Sequence, residues 1–445
     1  MTADLRAAME RVLPGVREDL ERLVRIPSVS ADPAAAGHLR ASAEAVASLL
    51  RGCGLDVQIL GVDGGEPAVV GRRPAPPGRP TVLLYAHHDV QPPGEPAGWT
   101  SPAFEPTERA GRLYGRGAAD DKAGIMAHVA ALRAFDNDPP VGVTVFVEGE
   151  EETGSPTLGL FLDRYRDLLA ADAIVFADSG NWEIGVPALT ISLRGLVDCF
   201  VEVQVLDHPV HSGMYGGVVM DAVTALCRLL ATLHNDAGDV AIAGLASGSA
   251  APLDLPEERL RAEAGILEGV QLIGTGSIVD RLWSKPAASV LAIDTTRIAD
   301  ASNTLLSTAR AKVSLRLAPG DDAKSAMDRL TEHLVTHAPF GAQVTVTPNS
   351  SGEPFQADAR GPVYDAARAG FAEAWGRPPV DMGVGGTIPF IAEFAAAFPQ
   401  AAILVTGVED PDSRAHGFNE SLHLGEYART CLAEALLLAK LAELS

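Results

Sequence analysis

The chain has 445 residues, 47% hydrophobic and 21% charged, which is enough for a sizeable core and for two to three domains. A net charge of −23 excludes the basic face that nucleic-acid binding needs, and no uninterrupted apolar run approaches the ~18 residues of a membrane helix. The 4 cysteines lack CxxC spacing, so buried reduced thiols are expected, and no apolar stretch of signal-peptide type follows the N-terminus; the chain reads as soluble and cytoplasmic.

Residues 8–24 carry Leu and Val at helical spacing among charges, and Ile26–Pro27 ends that helix. A second helix is predicted over 38–51, with Gly52–Cys53–Gly54 as its stop. Short strands fit 57–60 and 68–70, and 74–80 is a Pro/Gly loop. Then come a strand over 81–85, a buried helix over 123–135, a β-branched strand over 141–147, a helix over 159–169 and a strand over 173–176. Alternation of this kind predicts an α/β fold with a mostly parallel sheet, whose functional site lies beyond the carboxyl ends of the strands.

The pattern changes after about residue 187. Alternating segments at 188–193, 196–205, 289–298, 309–317 and 343–348 predict a half-exposed antiparallel sheet. Helices are expected over 218–234 and 321–336, with a loop-rich stretch over 235–256. A helix at 363–375, a strand at 399–406 and a final helix at 425–444 follow. The boundaries expected are a first catalytic part over 1–187, an inserted α+β lid over 188–353 and a second catalytic part over 354–445.

Five separate segments hold imidazole or carboxylate groups, most of them just after a strand. In His87–His88–Asp89, positions i and i+2 share a face of extended chain, so Asp89 can orient His87 while the other ring nitrogen meets a metal. His88 is the neighbouring alternative, facing the other way. Asp120 sits in Gly115–Arg116–Gly117–Ala118–Ala119–Asp120–Asp121–Lys122, where a carboxylate could bridge two cations or an aspartate could cap the next helix. Glu150–Glu151–Glu152 follows a buried strand. Such a run could be a solvated turn, or one carboxylate could bind metal while its neighbour acts as general base. Asp178 and His416 are weak signals singly. With no Cys ligand needed, the joint pattern points to a hydrolytic metal site.

These segments carry a resemblance. Tyr85–Ala86–His87–His88–Asp89–Val90–Gln91–Pro92, the Asp120–Asp121–Lys122 loop, Glu151–Glu152–Thr153–Gly154–Ser155 and Ala415–His416 resemble the di-zinc exopeptidases of the aminoacylase and carboxypeptidase superfamily, most of all the carnosinase-like dipeptidases. The resemblance implies two divalent metal ions, zinc with manganese as the alternative. His87 and Asp178 would hold one ion, Glu152 and His416 the other, and Asp120 would bridge them. Asp89 would orient His87, and Glu151 would serve as general base and then as proton donor to the leaving amine. In the lid, His211 before Ser212–Gly213 would stabilise the oxyanion, and Asn303, Arg316 and the Gly385–Gly386–Thr387–Ile388–Pro389 loop would hold the substrate, Arg316 being suited to a carboxylate. A homodimer through the lid and a dipeptide or small-peptide substrate are further implications. An N-acyl-amino-acid deacylase, a carboxypeptidase and a non-catalytic binding protein on the same fold are the competing readings.

Overall fold

The computed structural model describes residues 2–250, 252–386 and 388–444. They form two compact units: one of residues up to Ile191 with Ala357–Met382 and the chain from Glu393 onwards, the other of Ser192–Gln356 with Gly383–Ala392.

In the first unit the main strands of the large sheet are β1 (Asp56–Leu60), β2 (Ala68–Arg73), β3 (Thr81–His87), β4 (Gly142–Glu148), β5 (Ala173–Phe176), β6 (Ala188–Leu193) and β7 (Ala402–Val405). Their spatial order is β1-β2-β4-β3-β5-β7-β6. The centre of the sheet is parallel, β4 with β3, β3 with β5 and β5 with β7, while β1, β2 and β6 pair antiparallel at the flanks. The central strands are buried over nearly their whole length, which is why β3 and β4 read as continuous apolar runs.

The longer helices of this unit are α1 (Thr2–Val24), α2 (Ala36–Gly52), α3 (Lys122–Ala134), α4 (Pro362–Trp375) and α5 (Leu424–Leu441). Side-chain alternation splits β3 between two faces. Val82, Leu84 and Ala86 enter the main core with residues of all five helices. Tyr85 points the other way, into an aromatic group with Phe146, Phe176 and Phe394 whose ring centroids lie 4.9 to 5.8 Å from its own. Each such fully buried side chain contributes roughly 1.5–3 kcal/mol. Both faces are thus covered, and only the strand ends are left to meet solvent and ligands.

The second unit has a four-stranded antiparallel sheet in the order Ala287–Asp294, Thr308–Leu317, Gly195–Gln204, Gln343–Gly352. Ala222–Ala231 and Ala323–Thr336 pack against it around Val197, Val201, Leu226, Leu315 and Leu330. The helix expected over 218–234 is shorter than its apolar pattern, because Asp221 accepts a hydrogen bond from the Thr224 amide and caps a helix that starts at Ala222. The expected helix over 159–169 is two pieces, Leu158–Arg164 and Arg166–Leu169, parted at Tyr165. Strand Val380–Val384 and helix Pro389–Ala397 were not anticipated from the sequence. Cys53, Cys199 and Cys431 are buried as expected, whereas Cys227 is exposed. Among the described residues no helix is long and apolar enough to cross a membrane.

Candidate metal centre

Strand register explains how distant segments converge. Parallel pairing sets Tyr85 opposite Phe146 and Phe176, so β3, β4 and β5 finish side by side. His87 is the last residue of β3, Glu150–Glu152 follow β4 within a few residues, and Asp178 lies two beyond β5. Asp120 comes from the loop before α3, and His416 from the segment that follows β7.

The five metal candidates are brought together, with Glu151 among them. His87, Glu151 and Asp178 form one group and Asp120, Glu152 and His416 a second, each offering ligand atoms within 4.8 Å of one another. Nε2 of His87 stands 3.1 Å from Oδ1 of Asp120, 3.8 Å from Asp178 and 3.9 Å from Glu151. Nε2 of His416 stands 3.0 Å from Oδ2 of Asp120 and 3.3 Å from Glu152. The two oxygens of Asp120 therefore face one imidazole each. His416 adopts a positive φ of 62°, a conformation that a non-glycine residue keeps only where its surroundings hold it.

The inner shell is braced by groups of other kinds. His87 Nδ1 lies 3.1 Å from the Asp89 carbonyl and 3.4 Å from its carboxylate. That carboxylate also accepts hydrogen bonds from the amides of Glu151 and Glu152 at 3.2 and 3.0 Å, fixing the segment that carries both glutamates. His88 turns away, its Nε2 2.8 Å from the Pro67 carbonyl, which leaves His87 as the histidine of the site. Glu150 accepts bonds from the amides of Glu66 and Thr157 and from the Thr157 hydroxyl, so it anchors a loop and is not solvated. Asp121 stands at the N-cap of α3 without a capping bond and instead accepts from the His87 amide at 3.3 Å.

Three supporting residues were not singled out from the sequence. Glu420 is fully buried; its Oε1 accepts bonds from the amides of Ala119 and Asp120 at 3.0 and 3.2 Å, and its Oε2 accepts from Arg116 at 2.5 Å. Gln91 donates from its amide and side chain to both oxygens of Glu152, at 2.9 and 2.8 Å. Glu409 is half-buried, and desolvation, followed by the charges of Asp120, Asp178 and Glu420, pushes its carboxyl well above the usual range. Position in the chain offered one hint: Glu420 lies four residues past His416, and Arg116 and Gln91 sit inside motifs already noted.

Electrostatics define what the site wants. Burial and then neighbouring charges raise Glu151 well above a normal carboxyl, and burial with Asp120 raises Glu152 to about 8. Burial alone would lower His87, but hydrogen bonds to Asp120, Asp178 and Asp89 carry it well above normal. The Asp120 hydrogen bond lifts His416 to about 9. Carboxylates are in excess over cations here, and the imidazoles hold protons to compensate. A pair of divalent cations would serve the same purpose with greater charge, and imidazole-plus-carboxylate groups are competent donors for zinc or manganese. The residues present fit such a pair.

The candidate lid residues lie in the second unit. His211 pairs with Thr304 in a two-residue ladder, and its exposed ring accepts a bond from the Gly213 amide at 3.0 Å. The Ser212 amide donates to the Asn303 carbonyl at 2.9 Å, so His211 and Asn303 are neighbours. Arg316 lies on strand Thr308–Leu317 of that unit, opposite Leu196, and the Gly385 carbonyl accepts a bond from Arg194 at 3.1 Å. Gly386 follows in the same bend. Thr387 lies outside the described residues.

Comparison with known proteins adds a family. The family described as "Peptidase family M20/M25/M40" matches residues 83–440. A cysteinylglycine-S-conjugate dipeptidase from Corynebacterium striatum is 34% identical, over 94% of this chain and 93% of that protein. A β-Ala-His dipeptidase from Rattus norvegicus is 30% identical over 79% of this chain and 75% of that protein. Among solved structures, human carnosine dipeptidase 1 superposes with a TM-score of 0.83 at 24% identity, covering 100% of this chain and 99% of that one. This last likeness shows the fold.

Proposed function

This chain belongs to peptidase family M20/M25/M40 and is a metallopeptidase, and on that premise we propose that it cleaves the amide bond of dipeptides with two zinc ions held by the carboxylate–imidazole cluster. The observation that carries the proposal is the placement of Asp120 between His87 and His416, with Glu151 beside His87. His87 and Asp178 are assigned to one ion, Glu152 and His416 to the other, and Asp120 to both. Bound there, the two cations would polarise the scissile carbonyl and make water a nucleophile near neutral pH.

The chain's own residues handle the protons. Glu151 takes a proton from the attacking water and returns it to the leaving amine nitrogen. Its burial among carboxylates favours the protonated form, which suits the second of these steps. Asp89 keeps Glu151 and Glu152 in place through their amides. From the lid, His211 is assigned to the oxyanion, and Asn303, Arg316 and Gly385–Gly386 to holding the substrate. A non-catalytic binding role would be favoured by a missing ligand, yet all five metal positions carry competent side chains.

Dipeptides are preferred over N-acyl amino acids and longer peptides because the relatives at 34% and 30% identity are both named dipeptidases. The test is turnover of metal-stripped protein reloaded with zinc or manganese, against dipeptides, N-acetyl and N-succinyl amino acids and a peptide length series. Faster cleavage of the acyl amino acids would move the assignment to a deacylase. The lid's outer strand, Ala287–Asp294, exposes Val290, Leu291 and Ile293, which supports a homodimer through this unit, readable by sedimentation. Free thiols at all the cysteines suit a reducing compartment, and we place the protein in the cytoplasm.

A further inference from the structure

We propose that Phe418, seated on Gly94 and Gly98 beside Trp99, is a positioning residue that holds His416 opposite Glu152, so that this aromatic clip sets the affinity for the ion assigned to Glu152 and His416 and not for the other. The inference rests on the two-ion reading and deepens it.

His416 needs support from outside its own segment. Residues 411–419 form turns and bends outside the helices and strands, and Arg414 and His416 keep positive φ values of 55° and 62°. Backbone of that kind persists only where side-chain contacts hold it. Phe418, two residues past His416, supplies one such contact by lying against the turn Pro96–Gly98. A methyl group at Gly98 would fall 2.5 Å from its ring and one at Gly94 2.9 Å, so the ring fills the space that two absent side chains leave. Trp99 meets it edge-on, with ring centroids 6.4 Å apart at 89°. Asn419 fastens the next position: it donates to the Gly98 carbonyl at 3.0 Å and accepts from the Thr100 amide at 2.8 Å.

The loop that receives Phe418 also grips Glu152. It begins at Gln91, which donates to both oxygens of the Glu152 carboxylate, at 2.9 and 2.8 Å. Trp99 Nε1 donates to the Pro93 carbonyl at 2.7 Å and closes the loop on itself. Arg116 ties loop and segment together from beneath: its Nη2 donates to the Pro92 carbonyl at 3.4 Å and the Gly417 carbonyl at 3.2 Å, and its guanidinium lies 5.7 Å from the Trp99 ring. Residues 91–100 thus hold Glu152 at one end and the His416 segment at the other, and the two ligand side chains face each other at 3.3 Å. His87 and Asp178 follow the paired strands β3 and β5 instead, and His87 is held by Asp89 and Asp121. One ion's donors therefore stand on the sheet, and the other's stand on two loops joined by an aromatic contact.

Calorimetric titration of the metal-free protein with zinc should show two ions bound by wild type. In Phe418→Ala one ion should keep its wild-type affinity and the other should weaken by about 10- to 100-fold, the range for losing an outer-shell support. Gly98→Ala, which displaces the ring without removing it, should do the same, and Phe418→Tyr, which keeps the ring, should bind both ions as wild type does. A merely structural role would lower thermal stability and move the two affinities together. Equal weakening of both ions, or two unchanged affinities in Phe418→Ala and Gly98→Ala, would overturn the assignment. Trypsin reads the clip without metal, because Arg414 is exposed on the segment that Phe418 holds. Metal-free Phe418→Ala should be cut after Arg414 at least several-fold faster than wild type, and an equal rate would overturn the clip. If wild type binds fewer than two ions, the two-ion reading falls, while the trypsin rates still decide whether Phe418 fixes the His416 segment.

Discussion

Asp120 presents Oδ1 to His87 at 3.1 Å and Oδ2 to His416 at 3.0 Å, so one buried carboxylate links imidazoles that are far apart in the sequence. Burial opposes its ionisation, but the two histidines hold its carboxyl well below the usual range. Asp120→Ala should therefore lose metal and activity together, with metal content falling well below that of wild type and affinity dropping by more than the ~10- to 100-fold typical of an outer-shell loss. Elemental analysis that found full occupancy in the variant would refute the bridging role.

Glu151 faces His87 and Asp178, and burial with the charges of Asp178, Glu152 and Asp120 raises its carboxyl. Glu151→Gln should lower kcat by about 10²- to 10⁴-fold while metal content stays at the wild-type level, because the amide keeps the shape but cannot accept the proton. Retention of near-normal turnover would remove Glu151 from the role of base.

Metal uptake should be steeply pH-dependent. In the metal-free site Glu152 is raised to about 8 and His416 to about 9, so both hold protons at neutral pH. Metal binds only their deprotonated forms, so apparent affinity should climb as pH rises towards about 9 and flatten above it. Calorimetry in buffers of different ionisation enthalpy should register proton release at pH 7 and much less at pH 10. A pH-independent affinity would contradict these assignments.

Glu420 and Arg116 form an ion pair at 2.5 Å with both side chains essentially buried, and Glu420 also holds the Asp120 amide. Glu420→Gln removes the charge that balances Arg116. It should cost about 3–5 kcal/mol of stability and loosen metal binding by about 10- to 100-fold. Thermal unfolding and a metal titration check the two effects separately. Unchanged metal affinity would make the pair a purely structural brace.

Asp221 caps the second unit's helix Ala222–Ala231 through the Thr224 amide. Asp221→Ala should cost about 1 kcal/mol of that unit's stability. Burial is the largest single influence and pushes its carboxyl up, but the cap's hydrogen bonds together hold it below the usual carboxylate value of 3.8. A depressed pKa contributes stability that is present above the unfolded value and is lost as pH falls through the folded one. The difference between wild type and variant should thus be full at neutral pH and shrink below pH 3.8 in chemical denaturation.

What the sequence determined by itself were the local signals. The β-branched run at 142–148 and the apolar runs ending near His87 and Asp178 are strands because their period and composition allow little else, and the ligand candidates at their ends are visible for the same reason. The motif wording around His87, Asp120 and Glu151 added the family. Tertiary structure alone decided the long-range partnerships. Glu420 reaching the Asp120 amide, Gln91 clamping Glu152 and Arg194 lying over Gly385 join residues 61 to 300 positions apart, and nothing in a local window encodes which distant backbone group a buried side chain will find. The same holds for the excess of carboxylates: each acid is ordinary in sequence, and only their burial around one point makes the site call for cations.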